Sequence, residues 1–427
     1  MRRMKYSGIE WIGEIPVDWV VCPLKRISDI QTGNTPNKDF QELYYSTTVG
    51  VPWIKAEDLG SEKSIITTKE YLTPDGVKVA RVFPPNTVFV CCIASIGKVG
   101  FSTISCSCNQ QINGIVFGGV YWKYGYYLTI AQESEYQFNA SGNVVKILNS
   151  EKQSNIMCTL PSIVEQYQIV KYLDSKCSQI DSIIEKQEAI IEKLKEYKLS
   201  VITDAVTKGL DPNVEMKDSG VDVVRAVPDK WKVCRVKDVS IVERGGSPRP
   251  IEDYLTDSTD GINWIKIGDT VKGSKYITHV SQKIRKDGLS KTRFVNEGTL
   301  LLTNSMSFGE AYILCTDGCI HDGWLAFSDY KDIVIEFLYY FFISSFCRLQ
   351  FELQVAGGVV QNLNIDKVKT TVIFLPSIEE QRQIASFLDS KIDCLNAFIE
   401  KKAEIIERLK LYKKSLIYEV VTGKKEV

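Results

Sequence analysis

Four cysteines fall close together early in the chain, as Cys91-Cys92 and Cys106-X-Cys108, and four thiolates could hold zinc. Adjacent residues and a one-residue gap suit strands better than a zinc knuckle, and the residues 212 positions after the first pair are Thr303 and Asn304. The expectation is buried thiols and no metal. His279 and His321 have no cysteine or second histidine near them in sequence, so neither is expected as a metal ligand or a catalyst. The sequence contains no glycine-rich phosphate loop ending in Lys-Ser/Thr and no strand–GxGxxG–helix unit. Phe83-Pro84-Pro85-Asn86 has the letters of an adenine-methyltransferase motif in the wrong order, without a cofactor loop beside it. Pro74-Asp75 and Pro228-Asp229 lack the Glu-X-Lys that a nuclease would place after them. The chain reads as non-catalytic.

The residue types favour contact with a polyanion instead. Lys272 to Arg293, KGSKYITHVSQKIRKDGLSKTR, carries seven basic residues and one acid. Its Lys272, Lys275, Lys283, Arg285 and Lys286 are candidate phosphate ligands. The earlier counterpart has Lys63, Lys69, Lys78 and Arg81, diluted by Glu62, Glu70 and Asp75. Asn109-Gln110-Gln111 and the run Asn139 to Asn143 offer amides able to bond adenine edges, while Arg244 and Arg249 could fork onto guanine. Thr32, Asn34, Thr35, Lys38, Lys55, Lys98, Ser141, Asn143, Ser247, Lys266, Ser307 and His321 complete the set of candidate DNA contacts. Each is also an ordinary turn former or solvated charge. With a net charge of −1 there is no global basic field, so binding would rest on local patches.

The elements that must position these residues come in duplicate. Leu160 to Thr207 recurs without a gap at Leu375 to Thr422, with 26 of 48 aligned positions identical. Each copy opens with Leu-Pro-Ser, and Ser162 or Ser377 stands three residues before Glu165 or Glu380, the spacing of a capping box. No Gly or Pro follows for some forty residues, and apolar side chains recur three and four apart. The seams run through Leu173, Ile180, Ile184, Ile191 and Leu194, and through Leu388, Leu395, Ile399, Ile406 and Leu409. This predicts two coiled-coil helices, each a rod of roughly 65 Å. Gln187 and Lys402 interrupt both seams at the same place, a polar register device. Matching helices in one chain predict intramolecular antiparallel pairing rather than separate packing.

The repeat reaches further. Lys5–Trp19 aligns with Lys217–Trp231 at an offset of 212, Gly33-Asn34-Thr35-Pro36 with Gly245-Gly246-Ser247-Pro248, and SGNVVKILN from residue 141 with AGGVVQNLN from 356 at 215. Strands are expected at Thr87–Val90, Ile112–Phe117 and Thr299–Leu302, and single helices around Tyr124–Gln137 and Ile335–Leu353. The expected architecture is α+β, with two tandem modules of mixed sheet plus helices. Each module is followed by one long helix, and the helices pair antiparallel with pseudo-twofold symmetry. Boundaries fall at 1–159 and 209–374 for the modules, with helices over 160–208 and 375–427. At 427 residues, 44% apolar and 25% charged, this is an ordinary globular composition. Twelve cysteines without a framework or signal peptide point to a reducing cytoplasm. The most apolar run, FLYYFFISSF from Phe337, is too short to span a bilayer and reads as a buried helix.

Taken together, the two copies of LPSIxEQxQI…LDSK…IIE, each opening a long helix, resemble the specificity subunit of Type I restriction–modification systems. So do the module openings Ile15-Pro16…Trp19…Leu24 and Val227-Pro228…Trp231…Val236, each followed by Gly-X-Thr/Ser-Pro. That resemblance covers essentially the whole chain. It implies that each module reads one half of a bipartite double-stranded DNA site, and that the helices set the spacer and dock two modification subunits. Restriction subunits would join the full complex. S-adenosylmethionine, ATP and Mg would be bound only by partner subunits, with no cofactor in this chain and no membrane. Because the loops differ, the half-sites are expected to differ. Two other classes stay open: a coiled-coil scaffold for proteins, which would associate without salt dependence or a DNA footprint, and a self-sufficient methyltransferase, which would bind S-adenosylmethionine alone.

Overall fold

The computed structural model describes residues 2–60, 63–221, 224–304, 309–355 and 363–427. Cα proximity divides the chain into two compact units, residues 1–188 with 404–427 and residues 189–403. The division cuts both long helices, Ile163–Lys208 and Ile378–Val421. Each unit therefore holds one module with the nearer part of each helix.

In the first unit, a four-stranded antiparallel sheet runs in the order Val99–Ser102, Thr87–Cys91, Ile112–Phe117, Ser28–Thr32. A five-stranded mixed sheet centres on Val51–Ile54, parallel to Cys106–Cys108. Thr87–Cys91 is buried along its whole length, which is why it reads as a continuous apolar run rather than an alternation. The second unit repeats the plan with Ile241–Arg244, Trp324–Ser328, Leu300–Thr303 and Ala311–Leu314, adding Tyr276–Ile277 at the edge. Even the register is shared. Thr32 faces Asn113 and Arg244 faces Leu325, the same pair shifted by 212.

Where a single helix was expected in each module, the structure has two. Trp122–Ala131 is followed by Glu133–Asn139, with Gln132 leaving helical geometry between them. The buried Gln132 amide is spent there, taking a hydrogen bond from Tyr136 Oη at 2.8 Å. The second module breaks at Ser344, between Ile335–Ile343 and Ser345–Val355. Ser344 Oγ donates to Phe341 O at 2.6 Å and accepts from Cys347 N at 3.2 Å, closing one helix and capping the next. Phe337 to Phe342 are all buried, as expected of that apolar run. Among the described residues no helix is long and apolar enough to cross a membrane.

The long helices begin where the sequence placed them. Ser162 Oγ accepts from Glu165 N at 3.4 Å and Glu165 Oε2 from Ser162 N at 3.2 Å, a reciprocal box; Ser377 Oγ accepts from Glu380 N at 3.3 Å. The same glutamates take the indole N–H of the module openings, Trp19 Nε1 to Glu165 Oε1 at 3.3 Å and Trp231 Nε1 to Glu380 Oε1 at 3.0 Å. Gln166 and Gln381 are buried and receive Tyr121 N and Val334 N, both at 2.8 Å. Each module is thus pinned to the first turns of the helix that follows it. The first helix ends at Lys208 and is followed by Gly209 at φ +78°, a left-handed conformation that favours glycine.

Helix pairing is visible inside each unit. In the second, Ile202, Ala205 and Val206 share a core with Ile384, Leu388, Ile392 and Leu395, so the end of one helix lies against the beginning of the other: the pairing is antiparallel. In the first, Leu173, Cys177, Ile180 and Ile184 are buried, as are Ile406, Leu416 and Val420. Ile191, Leu194, Ile399 and Leu409 are half-buried. Lys413 Nζ reaches Asp181 at 2.6 Å in the first unit and Lys198 Nζ reaches Asn396 Oδ1 at 2.8 Å in the second. These are equivalent positions at the offset of 215, so the register repeats. Gln187 and Lys402 are both half-buried in the seams, and Gln187 Oε1 has no hydrogen-bond partner among the described residues.

Candidate nucleic-acid interface

One end of each module is built on the same frame. Gly33 and Gly245 follow their strands and press against the loop opposite: a methyl group would sit 2.2 Å from Cys108 O in the first case and 2.1 Å from His321 O in the second. Two residues on, a hydroxyl ties down that loop. Thr35 Oγ1 donates to Gln110 Oε1, and Ser247 Oγ donates to Asp322 Oδ1 at 2.8 Å. A third shared contact comes from an arginine, Arg81 to Thr32 O and Arg293 Nε to Arg244 O at 3.0 Å. Gln110 and Asp322, like Arg81 and Arg293, are 212 positions apart. The hydroxyl of the Gly-X-Thr/Ser-Pro motif therefore fixes one loop residue per module, and that residue differs in chemistry.

In the first module the loop is an amide network. Asn109 Oδ1 accepts from Gln111 N at 3.0 Å and its Nδ2 donates to Gln111 Oε1 at 3.2 Å, while Gln110 is exposed. Thr32 Oγ1 donates to Asn113 Oδ1 at 2.8 Å. Asn34 spends both ends internally, donating to Val79 O at 2.9 Å and accepting from Arg81 N at 2.6 Å. Ser141 and Asn143 lie on an exposed loop, where Ser141 Oγ takes Lys152 Nζ at 2.9 Å.

In the second module the loop is an ionic one centred on Asp322. Its carboxylate holds Arg249 at 3.3 Å, and its carbonyl oxygen accepts Arg244 Nε at 2.8 Å and Asn304 Nδ2 at 2.9 Å. Burial opposes the charge, but the Ser247 hydroxyl, His321 and Arg244 together hold the carboxyl below the usual aspartate range. It is therefore ionised at neutral pH. His321 lies half-buried between the rings of Trp264 and Trp324, and burial lowers its pKa, leaving it neutral. A cavity of about 220 Å³ beside this loop is lined by Arg244, Asn304, Leu325, Leu363, Asn364 and Asp366.

The basic candidates divide by how they are engaged. Lys38, Lys272, Arg285 and Lys286 are exposed, the last two within reach of Asp287 and Asp260. Lys283 donates to Thr259 O at 3.2 Å, and Lys266 is half-buried. Three others are turned to internal work. Lys55 pairs with Glu70 at 2.8 Å over the Trp53 ring, and Lys98 donates to Ala56 O at 2.9 Å. Lys275, 11% exposed in its side chain, reaches Asp389 at 2.6 Å among the rings of Tyr276, Tyr339 and Tyr340, so it anchors the second long helix. Ser307 lies outside the described residues.

The four clustered cysteines are all buried in the first module's core. Cys91 and Cys108 lie within reach of the carbonyls of Ile93 and Ile112, and burial pushes the Cys92 and Cys106 thiols up to about 12. Arg293 closes the basic stretch and Asp322 lies in the loop that answers Asn109-Gln110-Gln111; neither stands among the individual candidates, although the 212 offset from Gln110 and Arg81 marks both.

A family model described as the Type I restriction modification DNA specificity domain matches the chain twice, over residues 16–196 and 228–408. The MjaIX specificity subunit of Methanocaldococcus jannaschii is 29% identical over 61% of this chain and 60% of its own length. The EcoBI specificity subunit of Escherichia coli is 28% identical over 58% and 53%, so the chain spans less than two thirds of each of these two relatives. The MjaVIII specificity subunit, at 24% identity, is matched over 96% of this chain and 93% of its own length. Among solved structures, a chain from a study of complex assembly and conformational transition in the type I R-M system superposes with a TM-score of 0.73 at 14% identity, covering 96% of this chain and 99% of that one. The HsdS subunit from Thermoanaerobacter tengcongensis gives 0.51 at 14% identity over 96% and 98%.

Proposed function

The chain belongs to the Type I restriction modification DNA specificity family, and on that premise we propose that it is the sequence-reading subunit of such a complex. Each module reads one half of a bipartite, asymmetric site on double-stranded DNA. The observation that carries this reading is the frame built twice around different residues: the same hydroxyl tether ends on an amide at Gln110 and on a carboxylate at Asp322. A shared frame gives both readers one way of approaching a duplex, and unlike loops give them unlike half-sites. The paired helices serve as the spacer. A coiled coil holds separation and rotational phase, as half-sites on the order of one ~34 Å turn apart require, and a flexible linker does not.

The helices also offer a docking surface for two modification subunits. Ile183, Ile190 and Tyr197, seven apart, are exposed by 43%, 38% and 48% although apolar or aromatic. Their equivalents 215 positions on are Phe398 and Tyr412, both 54% exposed, and the half-buried Ile405. A heptad stripe outside the buried seam suits a further helix packing alongside. In this assignment methylation of adenine with S-adenosylmethionine belongs to the modification subunits, and ATP and Mg to restriction subunits. The chain itself binds DNA in the cytoplasm without catalysis or a cofactor of its own. Sequencing of methylated adenines in the native host, with and without this gene, tests the reading. One asymmetric bipartite motif should vanish with the gene; a motif set that is unaltered would sink it.

A further inference from the structure

The two loops differ in charge at the tethered residue, Gln110 against Asp322, and its surroundings say what the difference does. In the second module Asp322 gathers both arginines of the reading end, Arg249 on its carboxylate at 3.3 Å and Arg244 on its carbonyl oxygen at 2.8 Å, while Ser247 and Asn304 hold the loop itself. In the first module Gln110 has no carboxylate to offer, and the residues equivalent to Arg244 and Arg249 are Thr32 and Asn37. The arginines and the acid that holds them thus occur together in one module and are replaced together in the other. Arg249 stands out from the surface, with 82% of its side chain exposed, and Asp322 engages one nitrogen of a five-donor guanidinium. The contact is made by the terminal Nη2, which leaves Nη1, Nε and the second Nη2 proton free to donate. A guanidinium held by one nitrogen and otherwise open to solvent still offers the paired donors that recognise guanine through O6 and N7 in the major groove.

We propose that Asp322 is a positioning residue for specificity, holding Arg249 so that the second module reads a guanine in its half-site, a distinction the first module does not make at the equivalent place. The proposal rests on the DNA-reading function above and adds a base and a residue pair to it. Guanidinium chemistry and a neighbouring carboxylate are both needed. An unheld arginine samples many rotamers and neutralises phosphates without regard to sequence, whereas one fixed by a carboxylate meets a base edge in a single geometry. Arg244 shares the loop through a backbone carbonyl, which Asp322→Asn leaves in place, so the carboxylate alone is on trial.

The test replaces the gene in its native host with Asp322→Asn, Arg249→Ala or both, and maps methylated adenines. Asn keeps an oxygen for Ser247 and removes the charge. Asp322→Asn and Arg249→Ala should each relax the same single position of one half-site, with discrimination for guanine there falling roughly 5- to 150-fold, the worth of one bidentate contact. The double variant should be no worse than Arg249→Ala alone. Relaxation in both half-sites, at different positions in the two variants, or an even loss of methylation at all sites in Asp322→Asn, overturns the proposal. So does full discrimination in Arg249→Ala, a change on an exposed side chain that leaves the fold intact. A host without any gene-dependent bipartite motif would sink the DNA-reading function itself; an intact motif untouched by these variants sinks only the arginine clamp.

Discussion

The two modules share strand order, register and the tether from the Gly-X-Thr/Ser-Pro motif, yet one reading loop is held by amides and the other by an ionised aspartate. Around a common backbone frame, the tethered residue of each loop differs in charge. In the proposed function this is how one fold, written twice, would address two unlike stretches of a double helix: the frame sets the approach, and a handful of loop residues set the content. The docks onto the long helices show the complementary case. Trp19 and Trp231 make the same bond to Glu165 and Glu380, because both modules must be held to their helices in the same way.

That contrast can be broken most severely at the docks. Trp231→Ala removes a fully buried indole and strips Glu380 of its donor, and should cost the second unit about 3–5 kcal/mol. Trp19→Ala should cost the first unit less, because Glu165 keeps Arg2 as a partner. Hydrogen exchange resolved by unit measures both, and equal losses would deny that Arg2 matters. Next come the equivalent exposed residues Ile183 and Phe398. A glutamate at either should leave the melting profile unaltered and weaken capture of one modification subunit by about 1.5–3 kcal/mol, the value of one buried apolar side chain. Co-purification stoichiometry reads this out, and undiminished capture by the double variant would rule out the stripe as the dock.

The loops themselves are sharpened by Gly33→Ala and Gly245→Ala. Each methyl group meets a backbone oxygen, so each should cost about 1–3 kcal/mol of local stability. Each should also disturb base preference in one half-site only, the halves being opposite for the two variants. Methylation maps that changed in both halves for either variant would end the modular account. The smallest effect lies in the helices, where Lys413 meets Asp181 but Lys198 meets Asn396. Asn396→Asp should make the second contact resemble the first and add at most about 1 kcal/mol at low salt, less at high salt. Burial now lowers the Lys198 pKa, and the added carboxylate should raise it. Thermal melts at two ionic strengths decide the matter, and a salt-independent gain would point to packing rather than charge.

Most of the frame was legible because it is written in short-range code. Ser162 and Ser377 announce their helices through capping, Leu173 and Leu388 belong to stripes with helical spacing, and Thr87 to Val90 read as a strand bounded by turn residues. The breaks at Gln132 and Ser344 carry no breaker residue. Gln132 is held by Met157 O from a strand 25 residues on, a contact that nothing local records. Ser344 is held by its neighbours Phe341 O and Cys347 N, bonds that any serine can make and few helices end on. Lysine content alone misrepresented the basic stretch. Lys275 and Lys283 are eight residues apart, and the first is sunk among three tyrosines against Asp389 while the second reaches a loop carbonyl.

By itself the sequence determined that the chain is a repeat, where each long helix starts, which residues form the seams, and that two modules share a plan. These follow from periodicity and from a constant offset, which survive without knowledge of any distance. Only the tertiary structure decided that Asp322 is the hub of one reading loop and Gln110 of the other, each 75 residues from the hydroxyl that holds it. Strand pairing brings such residues together across intervals in which nothing local records the meeting, so what they touch is settled only when the sheets have formed.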